Sequence, residues 1–291
     1  SGTAMRSLST AGGARCAPDR EERPMTERVV VDIDNHVATV TLNRPGKMNA
    51  VDFAMFDAMR AAANQLRDDA TVRAVVLHGE GTDFCAGVDI SVFAGEGIGA
   101  TAGERMKPQT DYGANYYQDA AICWRELPVP VIAALNGSVF GAGLQIAMGA
   151  DLRYAAADVR LSIMEIRWGI IPDMGITATM PGFLAEDRVR ELAYTGRIVD
   201  AGEAARIGLV TDVVDDPLAS ATAVAHEIAA RNPDAVRATK QMISAAWRGD
   251  TASLLGLEAR LQLEVMAGDN QKEAATANIE QRPPVFRDAK S

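Results

Sequence analysis

The chain has 291 residues, of which 48% are hydrophobic and 23% are charged, and its formal net charge is −10. A chain of this length and composition can bury a sizeable core, which excludes a disordered protein. Its acidic balance, without a basic run, argues against a nucleic-acid partner. No apolar run approaches the roughly 20 residues of a membrane span.

The first 24 residues differ from the rest, because they are rich in Gly, Ser, Arg and Ala and lack hydrophobic periodicity. We interpret residues 1–24 as a disordered extension, with residues 1–3 left over from cloning and the folded chain starting near Met25. A transit peptide after Met5 is the alternative. The three cysteines have neither paired nor zinc-type spacing, so we expect free thiols, no metal site and a cytoplasmic protein.

Strand and helix patterns alternate along the first two-thirds of the chain. Two strands around a turn at Asp34 and Asn35 are followed by an amphipathic helix and then by buried strands that end in glycines. The final third reads as helical from Asp216 to about Gln281. We therefore predict an α/β core at residues 25–220 and a helical region at residues 221–291. Residues 94–113 are Gly-rich and least patterned, and we expect a mobile loop near a site.

Two glycine-containing turns follow buried strands, at residues 81–90 and 136–151. In the second, Gly141, Ala142 and Gly143 open a helical run, and the unpaired N–H groups of such a helix start suit an oxyanion. Gly137, Gly141 and Gly143 also fit a nucleotide-binding turn with Asp158 as a ribose contact. The chain has no Tyr-x-x-x-Lys pair, and the turn does not follow the first strand, which argues against that alternative.

Six segments in order, spanning Arg28 to Asp288, resemble the crotonase (enoyl-CoA hydratase/isomerase) superfamily. They are VTLNRPGKMNAVD, VRAVVLHGEGTDFCAGVDI, PVPVIAALNGSVFGAGLQIAMGADLRYAAAD, RLSIMEIRWGIIPDMG, LAYTGRIVDAGEAARIGLV and ANIEQRPPVFRD. The resemblance implies a crotonase spiral of repeated ββα units with a helical C-terminal trimerisation region. It also implies a homotrimer or a dimer of trimers.

The resemblance also implies an acyl-CoA thioester as substrate and no permanently bound cofactor. In the family, two backbone N–H groups hold the thioester oxygen while an enolate-like intermediate forms. By motif, these groups belong to Val88 and Ala142. Fixed donors at that oxygen stabilise the transition state more than the ground state.

The acid and base positions match no single branch of the family. Glu165 stands where hydratases have their second glutamate, but Gln145 replaces the first, and an amide cannot transfer a proton. Asp173 stands where hydratases have glycine. Dienoyl-CoA isomerases are similar in this Glu/Asp pair, although they carry an aspartate at the position of Gln145. We therefore expect an enzyme that shifts a C=C bond.

Three alternatives to this interpretation stay open. One is a hydratase that uses Glu165 with a water held by Gln145, and another is an acyl-CoA-binding member with little catalysis. At the residue level, Asp173 could instead cap the helix that follows it.

The resemblance implies CoA contacts from three places: the turn after the second strand, the CAGVDI turn and the C-terminal segment, which often comes from a neighbouring subunit. Arg44 and Lys47 are candidates for phosphate contacts. The apolar helical run at residues 251–268 could pack between subunits or within one chain. The candidate CoA contacts are Met48, Ala50, Ala86, Asp89, Ile90, Phe286 and Arg287.

Overall fold

The computed structural model describes residues 27–89, 91–92, 102–246 and 249–289. The predicted extension at residues 1–24 and the candidate residue Ile90 lie outside this part. Within the described part, the strands are β1 Val29–Asp34, β2 Val37–Leu42, β3 Ala74–Gly79, β4 Val131–Leu135, β5 Ser138–Phe140, β6 Leu152–Ala155, β7 Arg160–Ser162, β8 Val199–Asp200 and β9 Asp212–Val213. The helices there are α1 Phe53–Asp68, α2 Ala102–Arg105, α3 Tyr116–Arg125, α4 Ala142–Met148, α5 Ile176–Thr179, α6 Glu186–Thr195, α7 Ala201–Ile207, α8 Pro217–Ala229, α9 Pro233–Ala245, α10 Thr251–Met266 and α11 Asp269–Ile279.

The main sheet has the strand order β1-β2-β3-β4-β6-β9. Strands β1 and β2 form an antiparallel hairpin, and all later pairs in this sheet are parallel. The hairpin turns at Asn35 and His36, which both have positive φ, one residue later than the sequence predicted. Parallel strands need crossover connections, and α1 supplies the one between β2 and β3. The carboxyl ends of β2, β3 and β4 consequently lie at one edge.

A smaller sheet continues the spiral beyond that edge. Strand β5 pairs in parallel with β7, which pairs antiparallel with β8. The chain thus enters β5 directly after β4 and returns through α4 to β6 in the main sheet. The predicted α/β class and the crotonase spiral are confirmed, since repeated strand–strand–helix units build both sheets.

Helix α8 packs on the main sheet and not with the C-terminal helices. Its buried alanines Ala221, Ala225 and Ala229 join Val76 and Ile132 of the sheet in one apolar cluster. The domain boundary predicted at residue 220 therefore falls inside a helix that belongs to the core. Helices α9, α10 and α11 pack with one another.

Helix α10 has two apolar faces. Leu257 and Leu261 face a groove of 910 Å³ that α9 and α11 also line. On the opposite side, Leu255, Leu263 and Met266 are 58%, 69% and 53% exposed. Among the described residues, packing therefore buries the first face in part, with Leu261 6% exposed, and leaves the second face exposed.

The described part of the predicted mobile loop, residues 102–113, has more structure than its composition indicated. Short helix α2 opens it, and the backbone of Pro108 pairs with that of Asn115. Near its end the Tyr112 hydroxyl donates to the buried carboxylate of Asp119. Residues 94–101 lie outside the described residues.

Candidate active site

The two glycine-containing turns predicted from the sequence lie side by side. The Cys85 N–H donates to the Ser138 carbonyl at 3.0 Å, and the Phe140 N–H donates back to the Cys85 carbonyl at 3.0 Å. The close approach requires glycine, because a Cβ on Gly143 would lie 2.3 Å from the Cys85 carbonyl oxygen. Gly87 has φ +102, and a Cβ there would lie 3.0 Å from the Phe140 oxygen and 3.9 Å from the Ala142 nitrogen.

The backbone N–H groups of Val88 and Ala142 lie at this junction. Val51 pairs with the residues on either side of Val88, accepting from Asp89 and donating to Gly87, so the N–H of Val88 faces away from this pairing. Ala142 is the first residue of α4, where a helix cannot supply an acceptor for the N–H. No acceptor for either group is present in the described part of the chain.

Glu165 lies beside the same junction. It begins the 3-10 turn Glu165–Trp168 and is 7% exposed. A Cβ on Gly141 would lie 3.3 Å from Glu165 Oε1, so the carboxyl contacts the residue before Ala142. Burial raises the pKa of Glu165, whereas hydrogen bonds from its own backbone N–H and from Gln145 oppose this rise and the nearby Asp173 charge adds to it. Glu165 Oε2 is buried and has no hydrogen-bond partner among the described residues.

Gln145 connects the two candidate acids. Its Nε2 donates to Glu165 Oε1 at 2.6 Å, and its Oε1 accepts the N–H of Met174 at 2.8 Å. Gln145 is 1% exposed, because it lies on the second turn of a helix that is buried throughout. We expected Gln145 to line the pocket. Its amide is already hydrogen-bonded within the protein through both its NH2 group and its carbonyl oxygen.

Asp173 lies on the loop between Trp168 and helix α5 and is half-buried. Burial raises its pKa. The helix that follows has Gly175 as its N-cap, with no side-chain hydrogen bond, so the alternative that Asp173 caps it is wrong. The Asp173 carboxyl therefore has no helix-capping role. It lies close enough to Glu165 for its charge to raise the pKa of Glu165.

Four of the candidate CoA contacts come together on two adjacent loops. The Ala86 N–H donates to the Met48 carbonyl at 2.9 Å. Arg44 donates to the Ala50 carbonyl at 2.9 Å and to Asp89 Oδ2 at 2.6 Å. The N–H of Ser91 and the Arg44 guanidinium lower the pKa of Asp89 to about 2. Arg44, a candidate for a phosphate contact, therefore also joins these two loops.

Phe286 and Arg287 are not brought to this site within the chain. The Phe286 carbonyl accepts from Arg73, which directly precedes β3 and donates its N–H to the His36 carbonyl in the hairpin turn. The loop at residues 45–50 follows the other end of β2. Six-residue strands are about 20 Å long, so the C-terminal segment and the loop lie at opposite ends of the sheet.

Sequence reasoning missed two side chains that hold the site together. Asn49 is fully buried; its side chain accepts from the Arg44 N–H and donates to the carbonyls of Glu80 and Asp83. Asp83 in turn accepts the N–H of Ser138 at 2.8 Å. An Asn beside a Pro-Gly turn could have signalled the positive φ that Asn49 adopts, since Asn favours that region.

The described residues contain no group of three His, Cys, Asp or Glu side chains that could hold a metal ion. Cys85 and Cys123 are free and buried, and Cys16 lies outside the described residues. Among the helices that are described, none has the length and apolarity to cross a membrane.

Comparison with known proteins gives one consistent result. The family model described as enoyl-CoA hydratase/isomerase matches residues 32–289. A short-chain-enoyl-CoA hydratase of Clostridium acetobutylicum is 32% identical, over 87% of this chain and 95% of that protein. A mevalonyl-coenzyme A hydratase of Beauveria bassiana is 31% identical, over 88% and 92%.

The fold comparison agrees. The crystal structure of an enoyl-CoA hydratase from Bacillus anthracis superimposes with a TM-score of 0.82 at 31% identity, covering 89% of this chain and 98% of that one. The structural match covers most of this chain and nearly all of that one, so the resemblance extends well beyond the sequence motifs. The chain belongs to the enoyl-CoA hydratase/isomerase family of crotonase-fold proteins.

Proposed function

We propose that the protein shifts a C=C bond in an enoyl- or dienoyl-CoA thioester. Glu165 and Asp173 exchange protons with the acyl chain, while the N–H groups of Val88 and Ala142 hold the thioester oxygen. Electron density gathers on that oxygen as the α-proton leaves, and one fixed donor there is worth about 2.7–4 kcal/mol in acyl-transfer enzymes. No bound cofactor is needed for this chemistry.

One observation carries the proposal. Glu165 presents a buried, unbonded carboxyl oxygen beside Ala142, and a second carboxyl, Asp173, is near enough to raise its pKa. Two carboxyls with unequal burial and mutual repulsion differ in pKa, so one can be ionised while the other is protonated. Such a pair supplies one base and one acid, which can move a proton between distant carbons of the acyl chain.

The reaction balances with these two groups. An ionised carboxylate takes the α-proton of a 3-enoyl-CoA: the C–H bond breaks, an O–H bond forms, and the electron pair moves into the enolate. A protonated carboxyl then delivers a proton to the far end of the conjugated system, and the C=C bond appears at C2. The substrate changes only in the position of its double bond.

Hydration of a 2-enoyl-CoA is the second candidate function. It is favoured by the names of the relatives, since all three proteins compared above are called hydratases. In that case Glu165 activates a water molecule. Gln145 is less suited to hold this water than the sequence implied, because its carbonyl oxygen and one N–H are already paired.

A substrate series separates the candidates. Purified protein is offered 2-enoyl-, 3-enoyl- and 3,5-dienoyl-CoA of several chain lengths, and products are identified by mass and by deuterium uptake from solvent. Positional isomers without added mass from water support the proposal. Fast hydration with an unchanged rate in Asp173→Asn contradicts it. Tight CoA binding without turnover supports a binding protein with little catalysis.

We also propose that the chain works as a homotrimer or a dimer of trimers in the cytoplasm. The open apolar face of α10 supports self-association, and free buried thiols fit a reducing compartment. Met48, Ala50, Ala86 and Asp89 contact the CoA moiety from one chain. Phe286 and Arg287, remote from their own site, contact it from a neighbour.

A further inference from the structure

The Gln145 side chain ties Glu165 to the peptide that follows Asp173. The Nε2–Oε1 contact with Glu165 measures 2.6 Å, and the contact from the Met174 N–H to the Gln145 carbonyl oxygen measures 2.8 Å. Gln145, Glu165 and Met174 are 1%, 7% and 3% exposed. Water therefore competes little for these hydrogen bonds. The Met174 N–H and Glu165 Oε1 both rely on the Gln145 amide as a hydrogen-bond partner.

The Met174 N–H decides which way this amide faces. A backbone N–H can only donate, so it requires the carbonyl oxygen of Gln145 and not the NH2 group. Rotating the amide by 180° would bring two donors together at Met174 and two acceptors together at an ionised Glu165. Buried polar groups are rarely left in such pairs. The NH2 group consequently faces Glu165.

This orientation makes the two oxygens of Glu165 unequal. Oε1 accepts from an amide that holds no transferable proton, so a proton bound by Glu165 has its place on Oε2. Oε2 is buried and has no partner among the described residues. It is thus the oxygen from which the carboxyl can reach a substrate atom.

We infer that Gln145 is a positioning residue: its amide makes Oε2 the one oxygen through which Glu165 exchanges protons, and it fixes the position of the peptide between Asp173 and Met174 relative to Glu165. The inference rests on the proposed function, in which Glu165 acts as base. As the substrate α-carbon loses its proton, the new O–H bond forms at Oε2 and the electron pair passes to the thioester oxygen. The proton that returns to a second carbon comes from a carboxyl and never from position 145.

The decisive measurement follows the protonation of Glu165 and not turnover. The infrared C=O stretch of a protonated carboxyl is recorded against pH in the intact protein and compared with its Glu165→Gln counterpart. In Gln145→Met, a variant of similar size, the ionised form of Glu165 loses its donor. We expect the titration midpoint to rise by about one pH unit, because hydrogen bonding to the charged form favours that form.

Gln145→Glu provides a second variant that keeps an acceptor for the Met174 N–H. Its new carboxyl faces Glu165 Oε1, so the two groups share a proton. We expect the single titration to be replaced by two separated steps, as coupled carboxyls show. The acidic limb of the kcat/KM profile should move to higher pH in both variants, with KM changed less than kcat.

Gln65→Met, an exposed substitution of the same type on α1, is the matched control and should leave the Glu165 titration unchanged. An unchanged midpoint in Gln145→Met, or a single unchanged titration in Gln145→Glu, overturns the inference. Because the infrared titration needs no substrate, it decides the role of Gln145 even if the protein proves to be a hydratase. Absence of isomerisation in the wild type would overturn only the proposed function.

Discussion

At the scale of single residues, the site depends on Glu165, a carboxyl whose ionisation is made unfavourable by burial. Glu165 is buried, receives a single side-chain hydrogen bond, from Gln145, and lies near a second acid. A buried charge with so little compensation is destabilising, and folds retain such groups where they are needed for function. The ordinary surface acids of this protein, such as Glu264, have no comparable environment.

Replacing Glu165 by Gln should abolish the reaction without disturbing the fold. The amide keeps the shape of the side chain but can neither take nor give a proton, so we expect kcat to fall at least about 10²-fold. Steady-state kinetics with the best substrate of the series measures the loss. Near-normal activity would remove Glu165 from the mechanism.

The same variant should reveal the raised pKa of Glu165 through stability. Above the ordinary value of 4.5, the native carboxyl stays protonated after the unfolded one has ionised. The native state then binds more protons, so the free energy of unfolding falls as pH rises towards the folded pKa. Glu165→Gln lacks this loss, and its melting temperature should exceed that of the wild type by more at pH 8 than at pH 5.

Glu264→Gln is the control for this measurement, because Glu264 is exposed and forms only a surface ion pair. Its difference from the wild type should stay small at both pH values. If Glu165→Gln shows an equal difference at pH 5 and pH 8, the raised pKa is contradicted.

At the scale of elements, the site depends on two turns that touch without side chains between them. Their strand-then-glycine pattern was readable in the sequence, because buried strands and glycines that open helices have clear local signals. What the sequence did not reveal was how Gln145 pairs with Glu165, 20 residues away, or how Asn49 joins the loops that follow β2 and β3. Local patterns do not report such bonds, since the folding of distant segments creates them.

Gly143→Ala tests the contact between these turns. The added methyl group would lie 2.3 Å from the Cys85 carbonyl, a backbone atom that can move only if the turns separate. We expect a loss of about 1–3 kcal/mol in the free energy of unfolding, as for other overpacked sites, and a lower kcat. Urea denaturation measures the first and kinetics the second.

Gly256→Ala is the matched control on α10, where an added methyl group meets nothing within 4 Å. Alanine there should raise the free energy of unfolding by about 0.5–1 kcal/mol, since glycine is unfavourable inside a helix. Equal effects of the two substitutions would show that the turns can separate at little cost.

At the scale of the whole molecule, the sequence was informative about the spiral and less so about its boundary with the C-terminal helices. Helix α8 reads like the helices that follow it, but its small alanines let it lie close against the sheet. The apolar run of α10 could not be assigned to one partner, because both of its faces are apolar. Only the packing of α9 against it shows which face is left open.

That open face allows a test of assembly. At 100° per residue, Leu255, Leu263 and Met266 lie within about 80° of arc on α10. The double substitution Leu255→Lys with Leu263→Lys places two like charges on this stripe. If self-association buries it, we expect the assembly to dissociate into monomers, because unpaired buried charges are costly. Light scattering coupled to size-exclusion chromatography measures the mass.

Glu264→Lys changes the net charge by the same +2 but lies about 100° or more from the stripe, so it should leave the mass unchanged. The dissociated double variant should also bind CoA thioesters more weakly, since Phe286 and Arg287 would no longer reach a neighbouring site. A double variant that keeps both the wild-type mass and the wild-type KM would exclude α10 from the assembly. A monomer with unchanged KM would instead show that each chain completes its own CoA site, contrary to the distance between those residues and the loops.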